Sequence, residues 1–212
     1  PDPLRQEWSC TVCFGRPPRL VHRPSIRSTS EKPRIIWTGK GEWLEIMWAE
    51  SFGKLRNFHF VGIGGIGMSA LAEILLDSGY EVSGSDLSLS ETTAHLKQLG
   101  ASIHTGHSAS HLQNTDVVVV SSAIHSNNVE IEWARKKGVQ IVHRAELLAE
   151  LMRFTHCITV TGTHGKTTVT SMIGMILLDA GLDPTIVVGA RLKGLGSNAH
   201  LGTGDHFVAE AD

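Results

Sequence analysis

One short segment of the chain combines glycine, lysine and threonine in an order that can bind phosphate. The segment "TVTGTHGKTT" spans residues 159–168. Glycines let a backbone approach a phosphate closely, and the first turn of a following helix offers unpaired N–H groups. The widespread ATPase loop G-x-x-x-x-G-K-[ST] has its first glycine where this chain has Val160. We therefore expect a shortened loop that binds a nucleoside triphosphate.

The polar residues of this loop have separate expected roles. Lys166 is the expected catalytic residue, with its ammonium on the β- and γ-phosphates, and the Thr167 hydroxyl is expected to bind Mg²⁺. Mg²⁺ prefers hard oxygen ligands, so Glu210, at the end of a later predicted strand, is the candidate second protein ligand. A solvated carboxylate at a strand end is the alternative for Glu210. The predicted ATP-binding residues are Gly162, Thr163, His164, Gly165, Lys166, Thr167 and Thr168.

A second glycine-rich loop lies earlier in the chain, over residues 62–67. The segment "GIGGIG" satisfies G-x-G-x-x-G, it follows the apolar segment "NFHFV", and Asp86 ends the next predicted strand. A strand, this loop, a helix and a downstream acidic residue together are typical of a nucleotide- or diphosphate-binding unit. A tight strand-to-helix turn with close packing remains the alternative.

Alternating strand and helix patterns place both loops in α/β units. After the first loop, Met68, Leu71, Ala72 and Leu75 have the spacing of one helix face. Further strands are predicted at 101–104, 117–120 and 139–142, and helices near 91–99 and 129–137. The continuous apolar strand "VVVV" suits a parallel sheet that is covered on both faces.

The expected fold class is α/β, with two units in series. Residues 55–150 are predicted to form a Rossmann-like, doubly wound parallel sheet. Residues 151–212 are predicted to begin an incomplete P-loop-type α/β domain. We expect its sheet to expose an unpaired edge strand and to aggregate or remain partly unfolded.

Bulk composition excludes several classes of protein. The chain has 212 residues, a formal net charge of −2 and three cysteines. The charge gives no reason to expect nucleic acid or an anionic membrane as a partner. No apolar run reaches the length of about 18 residues that a membrane span needs. Few cysteines, without a disulfide framework, favour a reducing, cytoplasmic setting.

Residues 1–46 differ from the rest in composition. Six of the seven prolines lie before residue 34, and residues 1–40 carry 8 Lys or Arg against 3 Asp or Glu. A segment without apolar periodicity cannot bury enough surface to offset its ordering entropy. We predict a disordered or extraneous extension. A zinc half-site at Cys10 and Cys13 is disfavoured, because no second ligand pair follows, and an organellar transit peptide is a minor alternative.

Several motifs resemble the Mur ligases. "VTGTHGKTT" resembles the ATP loop of that family, and His164 is similar to the residue in members that act on UDP-N-acetylmuramic acid. Its place in the loop favours a loop-shaping role over that of a base. The segments that resemble the family in order over 57–212 are "HFVGIGGIGMSALAEILL", "GYEVSGSD", "VVVVSSAI", "RAELLAELM", "NAHLG" and "VAEAD".

The resemblance implies an ATP-dependent ligase of bacterial peptidoglycan synthesis, with Mg²⁺ as the metal. It would join UDP-N-acetylmuramate to L-alanine through an acyl phosphate, and the first loop would bind the sugar nucleotide rather than NAD. Asp86 would lie near the uridine and Gly64, Gly65 and Gly67 would face the diphosphate. The other implied substrate-binding residues are His107, Ser121, Ser122, Asn198 and His200, for which loop capping and ordinary turns are the alternative.

Members of this family continue beyond "VAEAD" and carry a C-terminal domain for the amino acid, so we expect this fragment to be inactive alone. Three alternatives remain. They are a sister ligase that adds recycled peptide to the same sugar, a non-catalytic UDP-sugar-binding module, and an NAD(P)-dependent oxidoreductase. The last leaves the lysine-containing loop unexplained.

Overall fold

The structure is a computed structural model that describes residues 10–15, 52–153, 155–190 and 197–211. The described strands form two five-stranded sheets. Strands and helices alternate through most of the chain in the following order: β1 (Cys10–Gly15), β2 (Asn57–Val61), α1 (Ile66–Asp77), β3 (Glu81–Asp86), α2 (Glu91–Gln98), β4 (Ser102–Thr105), a short 3₁₀ turn (Ala109–Leu112), β5 (Val117–Val120), α3 (Val129–Lys137), β6 (Gln140–His143), α4 (Arg144–Met152), β7 (His156–Gly162), α5 (Lys166–Asp179), β8 (Thr185–Val187), β9 (Ala199–His200) and β10 (His206–Glu210).

The first sheet is parallel and has the strand order β4-β3-β2-β5-β6. All four valines of β5 are buried, as a parallel strand covered on both faces requires. Strand β2 pairs with β3 along one edge and with β5 along its other edge. The chain passes first from β2 to β3 and only later crosses to β5. The doubly wound fold is confirmed, and the crevice between the ends of β2 and β5 is its topological switch point.

The second sheet has the order β1-β7-β10-β8-β9. Strands β7, β10 and β8 are parallel, whereas β1 and β9 pair antiparallel at the two edges. The carboxyl ends of β7 and β10 therefore lie side by side. This arrangement brings the loop after Gly162 next to Glu210.

Strand β1 differs from the expectation of an unstructured extension over residues 1–46. Residues Cys10–Gly15 pair with Cys157–Gly162 along the whole of β1. The backbone groups on that side of β7 are thus hydrogen-bonded, so the predicted unpaired edge is absent there. Cys13 is exposed. The rest of residues 1–46 lies outside the described residues.

The largest apolar cluster among the described residues contains side chains from both sheets. It includes Phe58, Phe60 and Leu71 of the first unit and Val187 and Phe207 of the second. Burial of such side chains contributes roughly 1.5–3 kcal/mol each. Because both units contribute side chains to this cluster, the loops at their strand ends have fixed positions relative to each other. In the described ranges, none of the helices combines the length and apolar composition that crossing a bilayer requires.

Candidate active site

The lysine-containing loop is short because strand β7 extends to its first glycine. Val160 is fully buried inside that strand, which explains why no glycine is needed there. Gly165 has a φ of 77°, a left-handed conformation that favours glycine, and helix α5 begins at the next residue. Thr163, His164 and Thr168 are exposed around this turn. The loop therefore presents the N-terminus of α5 to solvent.

Lys166 lies folded over the loop. Its Nζ donates a hydrogen bond of 2.8 Å to the carbonyl oxygen of Gly162. The ammonium is thereby held at the mouth of the loop, where an anion bound to the helix N-terminus would meet it.

Thr167 and Glu210 meet at the adjacent ends of α5 and β10. The Thr167 hydroxyl donates to Glu210 Oε2 over 3.1 Å, and Glu210 Oε1 accepts from the Gly189 amide over 2.7 Å. Hydroxyl and carboxylate oxygens fit the preference of Mg²⁺ for hard ligands. One carboxylate also suits an ion that takes its remaining ligands from phosphate and water. Among the described residues, no cluster of three or more His, Cys, Asp or Glu could hold a metal alone.

The backbone amides of the first loop are only partly free. The Gly64 amide donates to Asp86 Oδ2 over 2.8 Å, and the Gly65 amide donates to the Gly62 carbonyl over 3.1 Å. The described backbone hydrogen bonds do not use the amides of Ile66 and Gly67, at the start of α1. The available donors are thus Ile66, which sequence reasoning missed, and Gly67. Asp86 holds the loop, and its Oδ1 also accepts from the Ser88 amide.

The close approach of Asp86 predicts the effect of adding a methyl group at Gly64. A Cβ there would lie 2.8 Å from Asp86 Oδ2 and 3.1 Å from Thr93 Cγ2. We expect Gly64→Ala to lower the free energy of unfolding by about 1–3 kcal/mol, as overpacking does. Urea denaturation would measure the change. Gly65→Ala is the control, because its Cβ would meet no atom closer than 3.4 Å, and its expected cost is below about 1 kcal/mol. Equal losses in both variants would contradict the role of Asp86.

Three of the other predicted sugar-site residues lie at the same end of the first sheet. Ser121 and Ser122 follow β5 on the far side of the switch point from Asp86. His107 follows β4, where the Gly106 amide donates to the Asp86 carbonyl over 2.7 Å. These positions surround the first loop, although the described side-chain hydrogen bonds include none from Ser121 or Ser122 to the loop.

Sequence reasoning missed a buried carboxylate, Glu130, behind His107. The side chain of Glu130 is 0% exposed and lies in the first turn of α3, whose N-cap Asn128 accepts from its amide. Ser85 Oγ donates to Glu130 Oε2 over 2.6 Å, and His107 Nδ1 lies 3.1 Å from the same oxygen. On the other oxygen, His111 Nδ1 lies at 3.0 Å. Glu130 therefore joins the ends of β3, β4 and α3.

The ionisation of Glu130 follows from these contacts. Burial alone would raise its pKa, but the nearby His59 and the hydrogen bonds from Ser85 and His111 outweigh burial and lower the pKa to about 2. His59 Nε2 lies 3.5 Å from Glu130 Oε1, which is too long for a good hydrogen bond. The effect of His59 on the pKa of Glu130 is therefore mainly electrostatic. Glu130 is thus a buried anion that its donors stabilise.

The segment after residue 196 contacts the first loop through Asn198 but not through His200. Asn198 Nδ2 donates to the Ile66 carbonyl over 2.6 Å, and Ser197 Oγ donates to Glu73 Oε2 over 2.6 Å. His200 Nε2 instead lies 2.9 Å from Asp183 Oδ1. Hydrogen bonding to His200 and Thr203 outweighs burial and lowers the pKa of Asp183. His200 therefore supports a turn, whereas Asn198 reaches the candidate sugar site.

A cavity of about 380 Å³ adjoins the first turn of α1. Its walls come from α1, α2 and the residues on either side of 191–196. His95 Nε2, one of its polar atoms, lies 3.6 Å from Glu73 Oε1. The lining residues are Ile66, Ser69, Glu73, Glu91, Thr92, His95, Leu96, Ala190, Ser197 and Asn198. A cavity of this size is within the range of small-molecule sites.

Comparison with known proteins identifies relatives of both units. Residues 57–156 match the model of the Mur ligase family, catalytic domain. UDP-N-acetylmuramate–L-alanine ligase of Geotalea daltonii is 56% identical over 161 residues, which are 76% of this chain and 35% of that protein. The enzyme of the same name from Laribacter hongkongensis is 57% identical over 159 residues, 75% of this chain and 34% of that protein. The chain thus spans about a third of the length of these relatives.

Solved structures agree with this result. UDP-N-acetylmuramate–alanine ligase from Thermotoga maritima has a TM-score of 0.67 at 35% identity, over 73% of this chain and 36% of that one. UDP-N-acetylmuramate:L-alanyl-gamma-D-glutamyl-meso-diaminopimelate ligase from Neisseria meningitides has a TM-score of 0.69 at 29% identity. The match covers 74% of this chain and 53% of that one. The resemblance found in the motifs is confirmed: over the matched residues the chain is similar to Mur ligases.

Proposed function

We propose that this chain carries the sugar-nucleotide and ATP loops of a ligase that joins UDP-N-acetylmuramate to L-alanine in peptidoglycan synthesis. The observation that carries the proposal is the meeting of Thr167 with Glu210 beside the Lys166 loop. The high identity to relatives named for this reaction supports the choice of substrates. ATP-dependent synthesis of a cell-wall precursor would take place in the bacterial cytoplasm.

The chemistry requires activation of a poor electrophile. A carboxylate oxygen of the sugar acid attacks the γ-phosphorus of ATP, ADP leaves, and an acyl phosphate forms. The amine of L-alanine then attacks the acyl carbon, phosphate leaves, and the nitrogen loses a proton. Phosphoryl transfer between anions depends mainly on positioning and neutralisation of charge.

The residues of the chain would supply that neutralisation. The N-terminus of α5 binds phosphate oxygens through its amides, and Lys166 exchanges its bond with Gly162 for one with the β- or γ-phosphate. Thr167 and Glu210 would hold Mg²⁺. When bound, this ion neutralises phosphate charge, a contribution of several kcal/mol.

Carboxylates at the two ends of β10 provide a matched test of the metal site. We expect Glu210→Gln to weaken Mg²⁺-dependent ATP binding at least about tenfold, because an amide replaces a charged metal ligand. Titration calorimetry with and without Mg²⁺ would measure the change. Asp205→Asn removes the same charge at the exposed other end of the strand and should leave ATP affinity unchanged. An unchanged affinity in Glu210→Gln would contradict this assignment.

The sugar-nucleotide half has its own test. The unsubstituted chain should bind UDP-N-acetylmuramate and should not bind NADH or NADPH, because the first loop is proposed to take the sugar nucleotide. Fluorescence or calorimetric titration with each ligand distinguishes the proposals. Binding of a nicotinamide cofactor alone would favour the oxidoreductase. Binding of UDP-N-acetylmuramate without ATP binding would indicate a UDP-sugar-binding module.

A sister ligase that adds peptide to the same sugar is the second candidate. It is supported by the TM-score of 0.69 to such an enzyme. The higher identities of 56% and 57% to alanine ligases favour the first proposal. The two candidates share the sugar and ATP sites and differ in the acceptor amine, so a competition assay between L-alanine and the tripeptide in the complete enzyme would separate them.

A further inference from the structure

Arg144 occupies an unusual position for a cation. It is the first residue of α4, whose N-cap His143 amide donates to Glu146 Oε2 over 2.8 Å. The N-terminus of a helix carries a partial positive charge, so an arginine is electrostatically unfavourable there. No described hydrogen bond or ion pair within residues 52–153, 155–190 and 197–211 involves its guanidinium. Neither helix capping nor charge pairing in that part of the chain therefore explains this residue.

The side chain of Arg144 packs against the first loop. A Cβ on Gly67 would lie 2.8 Å from Arg144 Nη1, 3.0 Å from Cδ and 3.2 Å from Cζ. Glycine at position 67 thus leaves the space in which the guanidinium lies. The amides of Ile66 and Gly67, the available donors of this loop, are in the same turn of α1. Arg144 adds five N–H donors and a full positive charge to that turn.

The same side chain also faces the second unit. Arg144 lines a cavity of about 180 Å³ together with Thr159 of β7 and with Glu210 and Ala211 at the end of β10. Arg144 therefore lies between the first loop and the carboxylate that adjoins the ATP loop. An anion bound at the start of α1 would be on the side of the first unit that faces the second.

We propose that Arg144 binds the diphosphate of the sugar nucleotide, together with the amides of Ile66 and Gly67. This proposal rests on the proposed function, and it adds a binding residue to the sugar site. The planar guanidinium can donate two parallel hydrogen bonds to phosphate oxygens, which lysine cannot do. Gly67 is required because a larger residue would displace the guanidinium.

The test compares three ligands and matched variants of one helix. UDP, UDP-N-acetylglucosamine and UDP-N-acetylmuramate share the diphosphate, and only the last carries the sugar carboxylate. Arg144→Gln keeps the side chain as far as Cδ, one of the three atoms nearest to Gly67, and removes the charge. The control is Arg153→Gln, at the other end of α4, where the arginine is 55% exposed and pairs with Glu150. Calorimetry on the full chain gives the affinities, and thermal denaturation shows whether each variant is folded.

Arg144→Gln should lower the affinity for all three ligands by a similar factor of about 10 to 100, the usual range for a charged hydrogen bond. Arg144→Lys should recover only part of the lost affinity, and Arg153→Gln should leave the affinity for all three ligands unchanged. A loss confined to UDP-N-acetylmuramate would overturn the proposal, since Arg144 would then bind the carboxylate. Unchanged affinities would also overturn it, as would losses in Arg144→Gln that merely follow a lower thermal midpoint. If the unsubstituted chain binds none of the three ligands, the proposed function itself fails.

Discussion

Lys166→Ala is expected to lower the affinity of the chain for MgATP by about 10- to 100-fold. In the complete enzyme, the rate of phosphoryl transfer should fall on the order of 100-fold or more, as when one preorganised donor is removed. The physical reason is the position of Nζ, 2.8 Å from the Gly162 carbonyl at the mouth of the loop. Alanine cannot neutralise the charge that develops on the γ-phosphate.

Calorimetric titration with MgATP would measure this loss. Lys137→Ala is the control, because Lys137 is an exposed lysine at the end of α3 in the other unit. Lys166→Arg tests the shape of the cation, since a guanidinium is wider than an ammonium and does not fit every lysine site. ATP affinity that is equal in Lys166→Ala and in the unsubstituted chain would contradict the assignment of the loop.

Glu130→Ala is expected to lower the free energy of unfolding by about 3–5 kcal/mol, the range for removing one partner of a buried ionic group. The substitution removes the carboxylate that Ser85, His107 and His111 contact, and it leaves a cavity behind the candidate sugar site. Urea denaturation at neutral pH would measure the loss. Glu132→Ala is the control, because Glu132 is exposed in the first turn of the same helix. A loss in Glu130→Ala no larger than in Glu132→Ala would contradict the prediction.

The same residue predicts a dependence of stability on pH. The folded pKa of Glu130, about 2, is below its ordinary value of 4.5. Its contribution is therefore complete above about pH 4.5 and is lost as the pH falls toward 2. The facing titratable groups are His59, His107 and His111, with His104 stacked on His111 at 4.2 Å.

Denaturation at a series of pH values in Glu130→Gln would test this dependence. The variant should lose less stability than the unsubstituted chain between pH 4.5 and 2, since glutamine does not titrate. Parallel curves for the two proteins over that interval would show that other carboxylates cause the acid sensitivity.

The sequence predicted those features that depend on local patterns. The shortened loop, its helix and the strand that ends at Glu210 each follow from a few consecutive residues. Glu210 was selected as a candidate Mg²⁺ ligand beside Thr167, and the structure places the two side chains in hydrogen-bond contact. The resemblance to the Mur ligases was also visible in the sequence, because it consists of short motifs in a fixed order.

Features that join distant segments could not be predicted in this way. Glu130 is in an ordinary first turn of a helix, and its burial arises only where β3, β4 and α3 meet. The pairing of β1 with β7 connects residues far apart in the sequence, and no pattern in "CTVCFG" specifies its partner. The use of the Gly64 amide by Asp86, rather than by a ligand, similarly depends on the exact distance between two loops.

The hydrogen bonds of Ser197 and Asn198 have a mechanical consequence. They attach the chain segment that enters β9 directly to α1, the helix that follows the first loop. Any hinge rotation between the two sheets must either break these bonds or carry α1 along. A displacement of the start of α1 would therefore strain these hydrogen bonds and act on β9, an edge strand of the second sheet.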